Sequence, residues 1–309
     1  MILVLSYDDS EQDPVKAYMI RQNISFVSLS LQELTEGRLR VMVDFNDDSL
    51  YVDGKNLNEK VNVIWGEPLK QIMGCNGTAA SCPFLGMRAD AIEVLEFILY
   101  IFRDKIWLPN YVRLNKLKAF HVASGIDIRI PKSFLLTRKD DLRFFPNQLS
   151  VAIKPISYDE LHVNRSKTGV PYNMRLSREE FSCLEAEFQT SLFQHSIDAE
   201  YSYRLFYLDG EFYYQELATS GQEGIWNNSK YTAMDLKDGQ HFALTFTERS
   251  HLKKFMQKLE INICSMDFAL NQGEHYLRDI APFGKHWLDP LYHMEKRIAD
   301  WLVAQDEIQ

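Results

Sequence analysis

The chain has 309 residues, a length that accommodates two or three domains. Hydrophobic residues make up 46% and charged residues 25% of the sequence, as in ordinary globular proteins. The formal net charge of −9 argues against a nucleic acid as partner, because a phosphate backbone attracts basic surfaces.

The sequence shows no pattern typical of export or membrane insertion. Its first residues, MILVLSYDDSEQD, have neither the basic segment nor the long apolar segment of a signal peptide. The longest apolar run, Phe97 to Phe102, is too short to span a bilayer. The cysteines form no CxxC pair, so they indicate neither a zinc site nor a disulfide framework. We therefore expect a cytoplasmic protein with no membrane partner.

The first third of the chain has the pattern of an α/β unit. An apolar strand is predicted from Met1 to Ser6, and Asp13 is placed to cap a helix that begins at Pro14. A second helix is predicted from Arg88 to Ile101. No glycine-rich phosphate motif follows the first strand, which argues against a Rossmann dinucleotide site. Further strands are predicted at residues 26–29, 41–45, 49–52 and 61–65.

The middle of the chain contains a capped helix and a strand that leads to a lysine. Asn115 is placed to cap a helix that runs through Ala123 and ends at Gly125. A strand predicted from Leu149 to Ile153 then leads to Lys154. A lysine held at a strand end can serve as a point charge for a phosphate. The alternative is a lysine whose ammonium group extends to solvent.

The last third combines hairpins with helices. An amphipathic helix is predicted from Arg178 to Gln189. The turn Asp209-Gly210 joins two predicted strands, Tyr201 to Tyr207 and Glu211 to Gln215. The remaining helices are predicted over two apolar periodic segments, Leu252 to Leu259 and Leu291 to Val303.

The segment from Cys264 to Asp289 has the clearest chemical implication. Alternating apolar residues from Met266 to Leu270, a turn ending in Gly273 and a return strand to Ile280 predict a β-hairpin. Asp267 and Asp279 fall one on each arm, which brings them close enough to share a divalent cation with a phosphate. Magnesium takes one or two protein carboxylates and completes its shell with phosphate oxygens and water. The alternative is a surface hairpin with two solvated aspartates.

Four segments of the chain together resemble the ATP-grasp superfamily, and in particular the ATP-grasp peptide maturases that make graspetides (the microviridin-type and grasp-with-spasm systems). The resemblance runs from the first strand to the last helix, and the four segments occur in the order that the family has. They are Asn115 to Lys118 with Ile130-Pro131-Lys132, then Ile153-Lys154-Pro155, then Leu192 to Arg204 with Phe206 to Gly210, and finally the hairpin that ends in Pro282-Phe283-Gly284.

The resemblance implies an α/β (α+β) protein with the ATP-grasp fold and an N-terminal pre-ATP-grasp α/β domain. The implied boundaries are residues 1–108 for the N-terminal domain, 109–190 for the central lobe and 191–309 for the C-terminal lobe. The nucleotide is then expected between the last two lobes.

The resemblance also implies roles for particular residues. Lys116 and Lys154 correspond to lysines that contact the nucleotide phosphates. Asp267 and Asp279 correspond to the magnesium carboxylates, and Arg204 to an arginine directed at the phosphate region. The hinge segment that holds adenine through its backbone corresponds to Phe193, Gln194, His195 and Ile197.

The sequence departs from the family pattern at three places. The second metal strand contains Asp279-Ile280-Ala281 where the family has Glu-x-Asn, so one ligand oxygen is lost. Ser202 stands where relatives carry a glutamate that binds the ribose. The segment Gly224 to Ser229 lacks the arginine that relatives direct at the acyl phosphate. The cations considered as its replacement are Lys285, His286 and Arg278.

The resemblance therefore predicts an ATP- and Mg²⁺-dependent ligase whose substrate is a ribosomal precursor peptide with leader and core. The γ-phosphate passes to a side-chain carboxylate, and an amine or hydroxyl then attacks the acyl phosphate to form an amide or ester crosslink. One alternative is a degenerate ATP-grasp protein that binds a peptide or a partner enzyme without turning over ATP. Another is a small-molecule carboxylate–amine ligase of the same fold. Because many relatives are dimers and the helix around residues 91–102 is apolar, we also expect a homodimer.

Overall fold

The structure is a computed structural model of the chain. It describes residues 1–6, 13–30, 33–34, 36–47, 49–66, 89–110, 115–145, 151–154, 156, 174–176, 184–217, 244–281 and 294–308. The chain divides into two compact units, of which the first comprises Met1–Arg113 with Phe283–Gln309 and the second comprises Leu114–Pro282.

The first unit is an α/β unit, as its sequence predicts. In chain order its described elements are β1 (Ile2–Ser6), α1 (Pro14–Arg21), β2 (Phe26–Ser30), β3 (Val41–Asp44), β4 (Ser49–Val52), β5 (Lys55–Asn56), β6 (Val63–Gly66), α2 (Ala89–Ile101), β7 (Ile106–Leu108) and the C-terminal helix (Met294–Ile308). Four described strands form a parallel sheet in the order β2–β1–β6–β7. Strands β3, β4 and β5 form a small antiparallel sheet. Every residue of β1 is buried, as expected for a central strand of a parallel sheet.

The start of α1 confirms the predicted cap. The Asp13 carboxylate accepts a hydrogen bond of 2.8 Å from the Val15 N–H, and Pro14 occupies the first helical position. Asp13 also accepts a hydrogen bond of 2.7 Å from the indole N–H of Trp65 in β6. The same carboxylate therefore fixes both the helix start and its position on the sheet.

The C-terminal helix packs on the first unit. It contacts α1, β1 and β6, and its Asp306 forms an ion pair with the amino group of Met1. The predicted boundaries placed residues 191–309 in one C-terminal lobe, whereas the structure groups this helix with the N-terminal residues. The predicted boundary at residue 190 also falls inside a strand that spans Glu187–His195. The division into three domains stays a prediction.

The second unit contains two antiparallel sheets. In chain order its described elements are α3 (Lys116–Ser124), β8 (Ser133–Arg138), a 3₁₀ helix (Lys139–Phe144), β9 (Val151–Lys154), β10 (Met174–Leu176), β11 (Glu187–His195), β12 (Tyr201–Leu208), β13 (Glu211–Leu217), α4 (Phe246–Leu259), β14 (Ile263–Asn271) and β15 (Glu274–Ala281). One sheet has the strand order β10–β9–β11–β8, and the other has the order β13–β12–β14–β15.

The core of the second unit leaves one face of β12 for polar side chains. Residues Tyr203 and Leu205 pack with Phe120 of α3 and Phe255 of α4 in one buried apolar cluster. Because side chains alternate along a strand, Arg204 lies on the opposite face of β12. The helices therefore cover one face of this sheet, and the charged residues collect on the other.

The predicted helix from Arg178 to Gln189 is wrong in its described part. Glu187 already pairs with Arg138 as part of β11, and residues 178–183 lie outside the described residues. The Phe188 ring packs 5.3 Å from the ring of Phe193, centroid to centroid, in the apolar cluster of this sheet. The apolar spacing of Leu184 and Phe188 suits a helix, but non-local pairing with β8 decides the conformation.

The other helices and both hairpins confirm the predicted elements with small changes in length. Helix α4 begins at Phe246 rather than near Leu252, because Thr245 and Glu248 form a reciprocal capping box at its start. No helix in the described part of the chain is long and apolar enough to cross a membrane.

Candidate functional site

The hairpin β14–β15 brings the two predicted aspartates together. Asp267 and Asp279 are register partners across the two strands. Directly opposite residues of an antiparallel pair project to the same face of the sheet. The predicted turn is present at Gln272 and Gly273, both of which have positive φ values. The hairpin and the closeness of its aspartates are therefore confirmed.

Asp267 forms a bidentate ion pair with Arg204. The guanidinium Nε lies 2.7 Å from Oδ1 and Nη2 lies 2.9 Å from Oδ2. Arg204 and Asp267 are themselves register partners on β12 and β14, and Arg204 is only 6% exposed. Burial acts to raise the pKa of Asp267, but the charge and hydrogen bonds of Arg204 hold this pKa below its ordinary value. Asp267 is thus a carboxylate in the folded protein.

Asp279 is paired with Lys116, the first residue of α3. The Lys116 Nζ lies 3.0 Å from Asp279 Oδ1, and Lys116 is 3% exposed. The helix start is fixed by Asn115, whose side-chain oxygen accepts a hydrogen bond of 3.0 Å from the Lys118 N–H. The predicted cap therefore positions Lys116 at the hairpin. The alternative of two solvated aspartates is wrong, because both carboxylates have cationic partners.

Lys154, the last residue of β9, points to the same hairpin. Its Nζ donates a hydrogen bond of 2.6 Å to the backbone oxygen of Arg278 in β15. Burial lowers the pKa of Lys154 to about 8, with smaller contributions from the charges of Lys116 and Arg278, while Asp279 acts in the opposite direction. The alternative of a lysine that extends into solvent is wrong, since its ammonium group bridges from one sheet to the other.

These side chains form a charged cluster that suits a phosphate together with a metal ion. Among the described residues, four cations (Lys116, Lys154, Arg204 and Arg278) surround the two aspartates. Cations gathered beside these carboxylates favour an anion as a further partner. Within the described ranges no group of three or more histidine, cysteine, aspartate or glutamate residues could hold a metal. Two carboxylates still fit magnesium when phosphate oxygens supply further ligands, so the residues present fit a metal that binds with a phosphate.

The predicted adenine segment lies at the end of β11. The side chains of Phe193 and Gln194 are 1% and 2% exposed, respectively. Phe193 packs in an apolar cluster with Ile153, and the Gln194 amide nitrogen donates to the Ser133 hydroxyl at 3.2 Å. The His195 N–H donates to the Lys132 carbonyl at 2.8 Å. Ile197 follows in the described connection to β12 and is partly exposed.

The binding of adenine by the backbone of this segment stays a prediction. The structure shows which part of the segment belongs to a strand and which part does not. Strand β11 pairs with β8 on one side and β9 on the other through Gln194. Backbone groups within this part of the strand already belong to the sheet. The connection that follows, residues 196–200, lies outside the strands. Ile197 of the predicted segment lies in this connection.

Ser202 lies in β12, two residues before Arg204, and so on the same face of the sheet. It is 1% exposed, and its Oγ has no hydrogen-bond partner among the described residues. A buried hydroxyl without a partner is uncommon in a folded protein. Ala281, the residue that lacks the family's ligand oxygen, pairs with Ser265 at the end of β15.

Most of the charged cluster was predicted from the sequence, including the closeness of the two aspartates, but the ion pairs of these aspartates with Lys116 and Arg204 were not. Lys116, Lys154, Arg204, Asp267 and Asp279 were all predicted, and the structure brings them together. Arg278 was only one of three cations considered, and a bulge in β15 places it beside the cluster. Lys285, His286 and the segment 224–229 lie outside the described residues.

At the level of sequence, no protein-family model matches the chain and no curated protein matches it. Solved structures do match over nearly the whole length. The macrocyclase MdnC of Microcystis aeruginosa, bound with precursor peptide MdnA, has a TM-score of 0.71 and 14% identity, with 98% of this chain and 99% of that chain covered. The ATP-grasp ligase PsnB, complexed with a variant of its minimal precursor, Mg and ADP, has a TM-score of 0.73 and 12% identity, with 99% and 98% covered. The chain has the ATP-grasp fold.

A synthetase also matches the chain, with a lower TM-score. D-alanyl-alanine synthetase A from Vibrio cholerae has a TM-score of 0.54 and 15% identity, with 99% of this chain and 97% of that chain covered. The fold prediction made from the ordered motifs is confirmed. At such identities the likeness shows the fold alone, so the chemistry depends on the residues of the site itself.

Proposed function

We propose that the chain is an ATP- and Mg²⁺-dependent ligase that activates a side-chain carboxylate of a ribosomal precursor peptide. The activated carboxylate then forms an ester or amide crosslink within the same peptide. The observation that carries this proposal is the pairing of Asp267 with Asp279 inside a cluster of four cations. Phosphoryl transfer needs little covalent help from a protein, and positioning with charge neutralisation provides most of the catalysis.

The residues of the cluster have separate tasks in this proposal. Lys116 and Lys154 bind the nucleotide phosphates. Arg204, on β12, provides a further positive charge near the phosphate region. Asp267 and Asp279 hold magnesium, which neutralises phosphate charge when it is bound. Because Lys116 and Arg204 neutralise these carboxylates in the absence of ligand, an incoming phosphate offers both cations a new anionic partner. The two carboxylates then become available to the metal.

The remaining predicted residues complete the nucleotide site in this proposal. The backbone around Ile197 holds the adenine, and Gln194 and His195 fix the end of β11 that leads to it. The orphan hydroxyl of Ser202 faces the same side of β12 as Arg204 and serves as a contact for the ribose. Lys285 is retained as a second catalytic cation because it directly follows the Gly284 turn in the sequence.

Two comparisons support a peptide substrate. MdnC is described with a bound precursor peptide, and PsnB with a minimal precursor variant. Their TM-scores of 0.71 and 0.73 exceed the 0.54 of D-alanyl-alanine synthetase A. We extend the proposal to a cytoplasmic homodimer whose partner is a peptide with leader and core, in keeping with the apolar surface predicted for residues 91–102.

One specific observation favours a second candidate, a protein that binds a peptide or partner enzyme without turning over ATP. Both aspartates have protein cations as partners, and the family's third metal ligand is replaced by Ala281. In the described part of the chain no further group of metal-binding side chains compensates for this loss. This candidate predicts stable folding with no nucleotide-dependent chemistry.

Trapping of the activated carboxylate separates the two candidates. The protein is incubated with ATP, Mg²⁺, a pool of acidic peptides and hydroxylamine, which converts an acyl phosphate to a hydroxamate. If the protein is a ligase, we expect that peptides increase the rate of ADP release and that mass spectrometry detects hydroxamate-modified peptides. Without hydroxylamine, crosslinked peptides lose one water per bond. Absence of ADP release and of hydroxamate in the presence of a bound peptide would support the non-catalytic candidate instead.

A further inference from the structure

Strand β15 contains a bulge at Arg278, next to the paired aspartates. Asp267 pairs with Asp279, but the next residue of β14, Phe268, pairs with Leu277. Arg278 is therefore the extra residue that β15 carries at this point. A bulge changes the direction of the local side chains and is often found beside active sites. This bulge falls beside the two predicted magnesium ligands.

The bulge is held in place by hydrogen bonds to residues outside the hairpin. On one side, the Leu277 N–H donates to the Arg129 carbonyl at 2.8 Å. On the other side, the Arg278 carbonyl accepts the Lys154 ammonium at 2.6 Å. Strand β15 lies at the edge of its sheet, and these backbone groups connect the bulge to the neighbouring elements. The backbone from which the Arg278 side chain extends is therefore fixed relative to Lys154.

The charge of Arg278 acts within the cluster. Arg278 is partly buried, and its positive charge contributes to the lowered pKa values of both Asp267 and Lys154. Leu277 and Ile280, which flank Arg278 and Asp279 in the chain, are both in the buried apolar cluster of the second unit. With the bulge between them, Arg278 and Asp279 lie on the same polar side of β15.

We propose that Arg278 is an additional phosphate-binding residue, which contacts the terminal phosphates of the bound nucleotide. This inference rests on the proposed nucleotide-dependent function, and it adds a residue to that site. A guanidinium group donates hydrogen bonds in a planar fork that matches two phosphate oxygens. The bulge places Arg278 next to Asp279, and the Arg278 carbonyl is in contact with Lys154, so this fork extends from backbone within the charged cluster.

Nucleotides with different numbers of phosphates test the inference. Binding of a non-hydrolysable ATP analogue and of AMP is measured by calorimetry with Mg²⁺ for the wild type, Arg278→Gln and Arg278→Lys. We expect Arg278→Gln to weaken binding of the ATP analogue at least about tenfold and that of AMP by less than about twofold, because only the terminal phosphates lose a charged partner. Arg278→Lys keeps the positive charge but lacks the planar guanidinium group. Its affinity for the ATP analogue is expected to lie between those of the wild type and Arg278→Gln.

Arg129→Gln is the matched control. Arg129 lies beside the bulge, but its side chain is 57% exposed and pairs with Glu274 at 2.8 Å on the surface. The Arg129→Gln variant is expected to bind both nucleotides with the affinities of the wild type. If the wild type and Arg278→Gln bind the ATP analogue equally well, the inference about Arg278 is overturned and the proposed function is not. The same holds if Arg278→Gln loses as much affinity for AMP as for the ATP analogue. Failure of the wild type to bind either nucleotide overturns the proposed function and this inference together.

Discussion

Arg204 and Asp267 lie opposite each other on β12 and β14, 63 positions apart in the chain, and form a two-point ion pair. Both oxygens of a predicted metal ligand are therefore in contact with a predicted phosphate-binding cation. The second aspartate repeats this arrangement with Lys116. In the absence of ligand each aspartate therefore has a cationic partner, which offsets part of the cost of burying these carboxylates.

The Arg204–Asp267 pair is expected to stabilise the second unit. Arg204→Met leaves Asp267 as a partly buried carboxylate without its main partner and should lower the free energy of unfolding by about 2–4 kcal/mol. The double variant Arg204→Met/Asp267→Leu removes both charges and should recover most of that loss. Urea unfolding followed by circular dichroism measures the effects. Strictly additive losses in the double variant would contradict the role assigned to the pair.

Asp279 is expected to link nucleotide binding to magnesium. Asp279→Asn removes one of the two metal carboxylates and the charge partner of Lys116, so Mg²⁺ should no longer improve ATP binding. Binding without Mg²⁺ should be retained, because Lys116 is then available to a phosphate. The measurement is ATP affinity with and without Mg²⁺, with the exposed Asp140→Asn as matched control. An unchanged Mg²⁺ effect in Asp279→Asn would remove Asp279 from the metal site.

The start of helix α4 is expected to make stability depend on acidic pH. Burial acts to raise the pKa of Glu248, but hydrogen bonds from Thr245 and from His275, whose Nδ1 lies 2.6 Å away, lower it below its ordinary value. A carboxyl group whose pKa is depressed by folding adds stability above its unfolded pKa and loses it as pH falls through the folded value. Stability should therefore decline below about pH 4.

Glu248→Gln tests this acid dependence, with the exposed Glu211→Gln as control. The first variant should be less stable than the wild type near neutral pH, and the difference should shrink as the solution is acidified. The second should follow the wild type at every pH. Unfolding midpoints across the acid range provide the measurement, and parallel curves for all three proteins would show that the capping pair does not titrate with folding.

Asp13 is expected to stabilise the first unit through two hydrogen bonds. Asp13→Ala removes the acceptor for the Val15 N–H and for the buried indole of Trp65, so it should cost about 2–3 kcal/mol of unfolding free energy. Asp13→Asn keeps one acceptor oxygen and should cost less. Chemical denaturation of both variants checks the order. A change in the free energy of unfolding of less than about 0.5 kcal/mol for Asp13→Ala would be typical of a surface position. It would contradict the role assigned to the two hydrogen bonds of Asp13.

Local signals in the sequence predicted most elements, because caps and turns depend on neighbouring residues. Asp13, Asn115 and the Asp209-Gly210 turn each act within a few positions. The start of strand β11 was wrongly predicted as the end of a helix, because the spacing of Leu184 and Phe188 also fits a helix. Pairing with β8, which is distant in the sequence, determines the strand conformation. Non-local pairing is not encoded in a short window of sequence.

The closeness of Asp267 and Asp279 was predicted from the hairpin pattern, and Lys116 and Arg204 were predicted through the resemblance, but the contacts of these cations with the aspartates were not. No local rule connects Arg204 with Asp267, because the pair depends on the register of two strands. The bulge at Arg278 also depends on register, and a single sequence carries no marker for it.

Calorimetric titration of ATP with and without Mg²⁺ tests the central claim most directly. We expect Mg²⁺-dependent binding to the wild type, loss of binding in Lys154→Ala, and wild-type binding in the control Lys118→Ala, whose lysine is exposed on α3. Circular dichroism should show the same fold for all three proteins. Binding that is equally strong in Lys154→Ala, or no binding to the folded wild type at millimolar nucleotide, would contradict the assignment of this cluster as a nucleotide site.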